Sequence, residues 1–122
     1  MKLSKSIFVE EYIKYTIEAL KAMEKGDSRT NNRYVKKLYA LEKKYENEDY
    51  FIETLKELMD NDNLRVASGA ASESLRRNSN IEKAVSTLKK VSEKASGITA
   101  FTAEMVLKVW NERGSEGLMG KK

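Results

Sequence analysis

Residues 62–76 read DNLRVASGAASESLR, and this stretch decides the predicted fold. Asp62 and Asn63 are polar residues that close the preceding segment and allow a new helix to begin. The positions expected to face inward recur at helical spacing and are mostly small: Leu64, Ala67, Ala70, Ala71, Ser74 and Leu75. Because small side chains let neighbouring backbones approach closely, we expect this helix in the interior of a layered helical stack.

Three further helices are predicted before this stretch. Apolar residues recur at helical spacing over residues 7–25 and again from about 28 to 46, so these two helices should form a long antiparallel hairpin around Gly26. The inward stripe of the first helix is Val9, Ile13, Thr16, Leu20 and Met23. The inward stripe of the second is Tyr34, Leu38, Leu41 and Tyr45. Asp49 can cap a short third helix, whose inward residues are Phe51, Leu55, Leu58 and Met59.

Two helices are predicted after the same stretch. Ser79 and Glu82 have the spacing of a capping box, which would start a fifth helix near Asn80. The inward stripe of that helix is Ile81, Ala84, Val85, Leu88, Val91 and Ala95. Thr99 can cap a sixth helix, which is expected to bury Ala103, Val106, Leu107 and Trp110. Glu104 lies among apolar residues and is expected to be partly buried with a polar partner.

These patterns predict an all-α fold of about six helices, in which a long antiparallel hairpin precedes two HEAT-like helical pairs. A short helix, a turn ending in Asp and an alanine-rich helix form the first pair, and a similar pair follows. We expect a single HEAT-like domain over residues 1–113 and a flexible C-terminal tail over residues 114–122, which are rich in glycine and polar side chains.

The composition argues against most catalytic chemistry, because the 122 residues include no cysteine and no histidine. Disulfides, thiolate metal sites, the usual zinc ligands and the commonest general base near neutral pH are therefore absent. Glu53 and Glu57 lie one helical turn apart, but no nucleophile or phosphate-binding loop accompanies them. We therefore predict no catalytic residue, no metal and no cofactor, and we expect the protein to act by binding.

The sequence contains no apolar run that approaches the roughly 20 residues needed to cross a bilayer. Its first residues lead into an amphipathic segment that contains acidic side chains. We expect a cytoplasmic protein without a signal peptide and without a membrane partner.

Charge is unevenly distributed, although 23 basic and 19 acidic residues leave a net charge of only +4. Residues 1–62 hold 12 basic and 13 acidic side chains, whereas residues 63–122 hold 11 and 6. One acidic cluster is offset only by Lys56 and consists of Glu46, Glu48, Asp49, Glu53, Glu57, Asp60 and Asp62. The cluster is a candidate docking surface for a basic partner. The alternative interpretation is a solvated face in which Asp49 and Asp62 cap helices.

A basic set of residues is a second candidate surface, suited to a phosphate backbone. It consists of Arg29, Arg33, Lys36, Lys37, Lys83, Lys89, Lys90 and Lys94. No aromatic residue interleaves with the lysines of the predicted fifth helix and no nucleic-acid motif accompanies the set, so nucleic acid is an unfavoured partner. Tyr39 lies off the inward stripe of its helix and is a candidate exposed contact.

Three segments together resemble a small bacterial family of HEAT-like domains of unknown function. They are residues 62–71 (DNLRVASGAA), 81–85 (IEKAV) and 101–110 (FTAEMVLKVW). Residues 27–39 extend the resemblance to most of the chain beyond the first helix. Two positions depart from the family's pattern, because Ala67 follows Val66 where an Arg is usual and no proline precedes Ala84. These two departures leave the predicted fold unchanged. They affect only those contacts of the family that depend on the missing Arg.

The resemblance also implies a function, since some members of this family are immunity proteins encoded beside the toxic C-terminal domains of contact-dependent or other polymorphic toxins. By that resemblance the chain is expected to bind a cognate toxin domain, with a nuclease among the candidates, and to block its active site. A generic HEAT-like adaptor for another protein is the alternative. The residues of this chain that are expected to contact a basic partner are Glu46, Glu48, Asp49, Glu53, Glu57 and Asp60. A second candidate face consists of Arg65, Glu73 and Arg76.

Overall fold

The computed structural model describes residues 3–118 and assigns to them six α-helices and no β-strand. The helices are α1 (Lys5–Glu24), α2 (Ser28–Tyr45), α3 (Phe51–Leu58), α4 (Leu64–Arg76), α5 (Ile81–Lys94) and α6 (Gly97–Leu118). The predicted all-α class with about six helices is therefore confirmed. Within this range no helix has both the length and the apolar character to cross a membrane. The chain divides into two compact units, the first ending at Thr54 and the second beginning at Leu55.

The first unit is built on the hairpin of α1 and α2, which confirms the predicted pairing. Gly26 lies between the two helices with a φ of 76°, a left-handed conformation that glycine adopts without a steric penalty. The Asp27 carboxylate caps α2 by accepting a hydrogen bond from the Thr30 N–H at 3.1 Å. The Asn31 side-chain amide donates to the Ala19 carbonyl at 2.9 Å and so ties the start of α2 to α1.

The core of this unit is an aromatic cluster around Phe8. The Phe8 ring is fully buried, and its centroid lies 5.0 Å from that of Tyr45, 5.5 Å from that of Phe51 and 5.7 Å from that of Tyr12. All three ring pairs are tilted, which is a favourable arrangement for aromatic quadrupoles. The cluster joins α1, the end of α2 and the first turn of α3.

The buried face of α1 differs from the predicted stripe. The buried residues of this helix are Phe8, Tyr12, Thr16, Ala19 and Ala22. Of the predicted residues, Val9, Ile13 and Leu20 are half-buried and Met23 is exposed, so only Thr16 belongs to both sets. The helix is apolar over much of its circumference, so helical spacing alone does not select one face. The two aromatic rings bury more apolar area than Val or Ile and therefore occupy the interior.

The second unit contains α4, α5 and α6, which pack on one another. The buried residues of α4 are Val66, Ala67, Ser68, Ala70, Ala71, Glu73, Ser74 and Leu75, which confirms the interior position predicted for this helix. The Asn63 side chain caps α4, because its oxygen accepts hydrogen bonds from the N–H groups of Arg65 at 2.9 Å and Val66 at 3.1 Å. From α5, Leu88 and Val91 are fully buried in this unit.

The turn between α4 and α5 has left-handed residues on both sides of Ser79. Asn78 and Asn80 have φ values of 55° and 49°, a conformation that Asn tolerates better than most residues. The predicted capping box is wrong, because the Ser79 hydroxyl donates to the Ser74 carbonyl at 3.3 Å. The Ser79 N–H donates to the same carbonyl at 2.8 Å. Ser79 therefore closes α4 rather than opening α5.

Helix α6 begins earlier and is less buried than predicted. It starts at Gly97, so Thr99 lies inside the helix instead of capping it. Ala103 is fully buried, as predicted. Three residues predicted to be buried are only half-buried: Val106, Leu107 and Trp110. Glu104 is exposed, because its apolar neighbours in sequence point to other sides of the helix and do not enclose it.

The end of α6 bends at Gly114, which has a φ of 65° and a ψ of −156°, and helical structure continues to Leu118. The Asn78 amide donates to the Ser115 hydroxyl at 2.9 Å, which links this last turn to the turn between α4 and α5. The segment expected to be a flexible tail therefore begins with helical residues. Residues 119–122 lie outside the described residues.

Replacing Leu88 by Ala should lower the free energy of unfolding by about 2–5 kcal/mol, because a fully buried leucine leaves a cavity behind. Ile81→Ala on the same helix is the matched control. Ile81, which was predicted to face inward, is 40% exposed instead, and its truncation should cost less than about 1 kcal/mol. Urea unfolding followed by circular dichroism measures both values. Equal losses in the two variants would contradict the packing of α5 described above.

The cap of α2 predicts a dependence of stability on pH. The hydrogen bonds from Thr30, assisted by the charges of Arg33 and Lys25, hold the pKa of Asp27 below its ordinary value of 3.8. The stabilisation is therefore complete above the ordinary pKa and is lost as the pH falls through the lowered one. Asp27→Asn keeps an acceptor but does not titrate. The difference in unfolding free energy between wild type and this variant should shrink between about pH 7 and pH 2, and a constant difference would be evidence against the cap.

Candidate functional site

The loop that carries three of the predicted acidic contacts lies between two buried aromatic residues. Tyr45 ends α2 and Phe51 begins α3, and both belong to the cluster around Phe8. The Glu48 N–H donates to the Tyr45 carbonyl at 2.9 Å, and the Phe51 N–H donates to the Glu48 carbonyl at 3.0 Å. These two hydrogen bonds hold the loop against the core, so its acidic side chains project from a rigid base.

We name the four acidic residues of this segment, Glu46, Glu48, Asp49 and Glu53, the acidic ridge. Glu46 and Glu48 are half-buried, whereas Asp49 and Glu53 are exposed. Among residues 3–118, no basic group lies within ion-pair distance of Glu48, Asp49 or Glu53. Glu48, Asp49 and Glu53 therefore present negative charge that no ion pair within residues 3–118 neutralises.

Tyr50 anchors the ridge to the start of the chain. Its hydroxyl donates to the Leu3 carbonyl at 3.1 Å, and its own carbonyl accepts a hydrogen bond from the Thr54 hydroxyl at 2.6 Å. Desolvation of the phenol, together with the negative charge of Glu48 and the neighbouring Tyr45, raises the pKa of Tyr50 above its ordinary value of 10.0. Like an ordinary tyrosine, the phenol is neutral at physiological pH, and it serves as a hydrogen-bond donor beside the ridge.

The remaining acidic residues of the predicted surface belong to the second unit. Glu57 is exposed on the last turn of α3. The Asp60 carboxylate forms an ion pair with the Lys83 ammonium at 2.7 Å, with the two side chains 70% and 33% exposed. Its charge is therefore compensated within the chain, and Asp60 is a weaker candidate for contact with a basic partner than Asp49 or Glu53.

The second predicted face contains a buried carboxylate, whereas a residue that contacts a partner must be exposed. Glu73 is 5% exposed, and its two oxygens bind the Arg76 guanidinium at 3.1 Å and the Arg77 guanidinium at 2.6 Å. Glu73 thus holds two arginines at the end of α4 instead of facing a partner. Arg65 and Arg76 are half-buried and keep part of their surface accessible.

The structure also brings together residues that the sequence analysis did not connect. The rings of Tyr15 on α1 and Tyr34 on α2 lie 6.0 Å apart, and the Lys37 ammonium lies 5.5 Å from the Tyr15 ring. Tyr34 was expected in the core and is half-buried. The predicted hairpin around Gly26 implies that α1 and α2 face each other. Helical spacing within a single helix does not show which residues of the two helices meet, so the contact of Tyr15 with Tyr34 and Lys37 was not predicted.

No cluster of acidic side chains within residues 3–118 has an arrangement that could hold a metal ion. Comparison with protein families, with curated proteins and with solved structures found no match to this chain. The resemblance to the HEAT-like family therefore rests on the segments quoted above.

Removing the carboxylate of Glu73 should destabilise the second unit, because it leaves two partly buried arginines without their counter-charge. We expect Glu73→Ala to lower the free energy of unfolding by about 1–3 kcal/mol, less than for a fully buried pair because the arginines can turn towards water. Asp60→Ala breaks an exposed ion pair and is the control, with an expected loss below about 1 kcal/mol. Denaturant titrations of both variants measure the two losses in unfolding free energy. If Glu73→Ala costs no more than Asp60→Ala, the ion pairs of Glu73 with Arg76 and Arg77 do not stabilise the protein.

Proposed function

We propose that the chain is an immunity protein, which binds a cognate toxin domain and blocks its active site, and that the acidic ridge contacts the toxin. The observation that supports the ridge most is the exposure of Asp49 and Glu53 with no basic group within ion-pair distance among residues 3–118. The function itself comes from the resemblance to HEAT-like immunity proteins. Binding rather than catalysis agrees with a sequence that contains neither cysteine nor histidine.

Electrostatics makes the ridge a suitable surface for a basic partner. Clustered like charges repel one another in the free protein, and an oppositely charged partner relieves this repulsion on binding. A nuclease domain needs positive surface to hold its substrate, so an acidic inhibitor can occupy the same surface. Complementary charges also speed association, which favours a protein that must capture a toxin before it acts.

The rigidity of the ridge favours tight binding. Its loop is held between Tyr45 and Phe51, which are 2% and 1% exposed. A surface that is already ordered loses little conformational entropy when it binds, so more of the interaction energy is retained as affinity.

A second candidate function, a generic protein-binding adaptor, is favoured by an apolar pair on α6. Phe101 and Met105 lie one turn apart and are 62% and 41% exposed. Aromatic residues and methionine are enriched at protein interfaces. This pair belongs to the second unit, so an adaptor would use a surface other than the acidic ridge.

Reversing the charge of the ridge tests the proposal. The double variant Asp49→Lys/Glu53→Lys should slow association with the toxic C-terminal domain encoded by the neighbouring gene by about tenfold or more at low salt. Protection of cells that express this domain should weaken in parallel. Stopped-flow binding and colony counts measure the two effects, and circular dichroism should show unchanged helicity because both side chains are exposed.

The matched control is Glu93→Lys/Glu112→Lys, which changes the net charge equally at exposed positions of α5 and α6. It should associate and protect like wild type. If both double variants behave alike, the ridge is a solvated face, and Phe101→Ser/Met105→Ser becomes the variant that tests the adaptor. If the neighbouring gene encodes no toxic domain that forms a complex with the chain, the immunity proposal is wrong.

A further inference from the structure

One face of α2 is uniformly cationic over the length of the helix. Its six basic residues are all exposed: Arg29, Arg33, Lys36, Lys37, Lys43 and Lys44. At about 100° per residue they fall within an arc of about 120°, and at about 1.5 Å per residue they extend over about 22 Å. We name these six side chains the cationic face.

The described part of the chain leaves this charge without a carboxylate partner. Within residues 3–118, none of the six basic groups is within ion-pair distance of a carboxylate. The only acidic residue of α2, Glu42, is buried. Arg33 lies one helical turn from both Arg29 and Lys37, and like charges at this spacing destabilise a helix. Ion pairing within the described residues therefore does not account for the cationic face, whereas an anionic ligand does.

Tyrosines border the cationic face on both sides. On one side, the Arg33 guanidinium lies 5.4 Å from the Tyr34 ring and the Lys37 ammonium lies 5.5 Å from the Tyr15 ring. These distances are within the range of cation–π contacts, which orient the basic groups along the edge of the face. On the other side, Tyr39 is 56% exposed.

A shallow groove continues the aromatic side of the face between α1 and α2. It is lined by Glu11, Tyr15, Lys37, Ala40, Leu41 and Lys44. Glu11 is the one carboxylate among these lining residues, and it forms no ion pair with Lys37 or Lys44. The groove thus offers two ammonium groups beside an aromatic ring in the first unit.

We propose that the cationic face binds a single-stranded nucleic-acid backbone and that the bordering tyrosines stack on its bases. A regular row of cations with aromatic rings at its edges suits a strand whose phosphates and unpaired bases alternate. A protein partner is a poorer fit, because interface cores are depleted of lysine and contain apolar anchors. Only Ala40 lies uncharged and exposed at the centre of this face. A duplex keeps its bases stacked and would leave the tyrosines unused.

The test uses the full chain and fluorescently labelled DNA and RNA single strands of about 20 nucleotides, a length that exceeds the site sizes of small single-strand-binding domains. Anisotropy titrations between about 50 and 200 mM salt give the affinity and its salt dependence. If six phosphates are neutralised, the slope of log K against log salt should be about −4, since each contributes about −0.7. A duplex of the same length should bind more weakly.

Three variants locate the binding. Arg33→Gln/Lys37→Gln should reduce the slope to about −3, because two phosphate contacts are lost. Lys108→Gln/Arg113→Gln on α6 makes the same change in net charge at exposed positions outside both basic surfaces and should bind like wild type. Tyr39→Ala should weaken single-strand binding by about tenfold and leave the slope unchanged, as expected for a stacking contact.

Several results would overturn the proposal. One is the absence of single-strand binding at low salt, and another is an equal loss in the α2 and α6 double variants. Tighter binding of poly-glutamate than of either nucleic acid would identify an acidic polypeptide as the ligand instead. Tighter binding of the duplex, or no effect of Tyr39→Ala, would show that the tyrosines do not stack on bases and would contradict the proposal. Binding of RNA but not DNA, or the reverse, supports the proposal and identifies the strand.

Discussion

Burial of the Phe8 ring is the constraint on which the first unit depends. The ring contacts Tyr12 on its own helix, Tyr45 at the end of α2 and Phe51 at the start of α3. It therefore sets the register of the hairpin and closes the loop between α2 and α3. Both surfaces proposed to bind follow from that register. The acidic ridge lies on the loop between Tyr45 and Phe51 and on the first turn of α3, and the cationic face lies on the side of α2 that the cluster leaves exposed.

The second unit is held together by close backbone approach rather than by large rings. Ala67, Ala70 and Ala71 are at most 2% exposed, so α4 can pack closely against both α5 and α6. Because α4 is packed closely on these two helices, the charged side chains at its end are partly buried as well. Glu73 is buried there and binds Arg76 and Arg77, which converts a residue of the binding hypothesis into a structural one. One carboxylate therefore offsets one of the two arginine charges at this end of α4.

Helical spacing predicted the fold well because it reports which elements exist. It predicted burial poorly wherever a helix was apolar on more than one side. On α1 the large rings of Phe8 and Tyr12 took the interior from Val9 and Ile13, and on α6 Trp110 remained half-buried. The capping box failed because Ser79 could bond backwards to Ser74 as well as forwards. Of the candidate site, the exposure of Asp49 and Glu53 was predictable from local charge. The contact of Lys37 with Tyr15 was not, since it depends on how two helices meet.

Net charge conceals how this chain distributes its surfaces. Residues 1–54 carry 11 basic and 10 acidic side chains, which is close to neutral. Within that range six cations share one face of α2, and four acidic residues follow it along the loop and into α3. This separation of acidic from basic residues adds electrostatic repulsion within each surface. Interspersed acidic and basic residues would instead form ion pairs and reduce that repulsion. A fold that needed only solubility would have no use for such separation. The separation is therefore the physical reason to look for two different partners, one basic and one anionic, on this small helical protein.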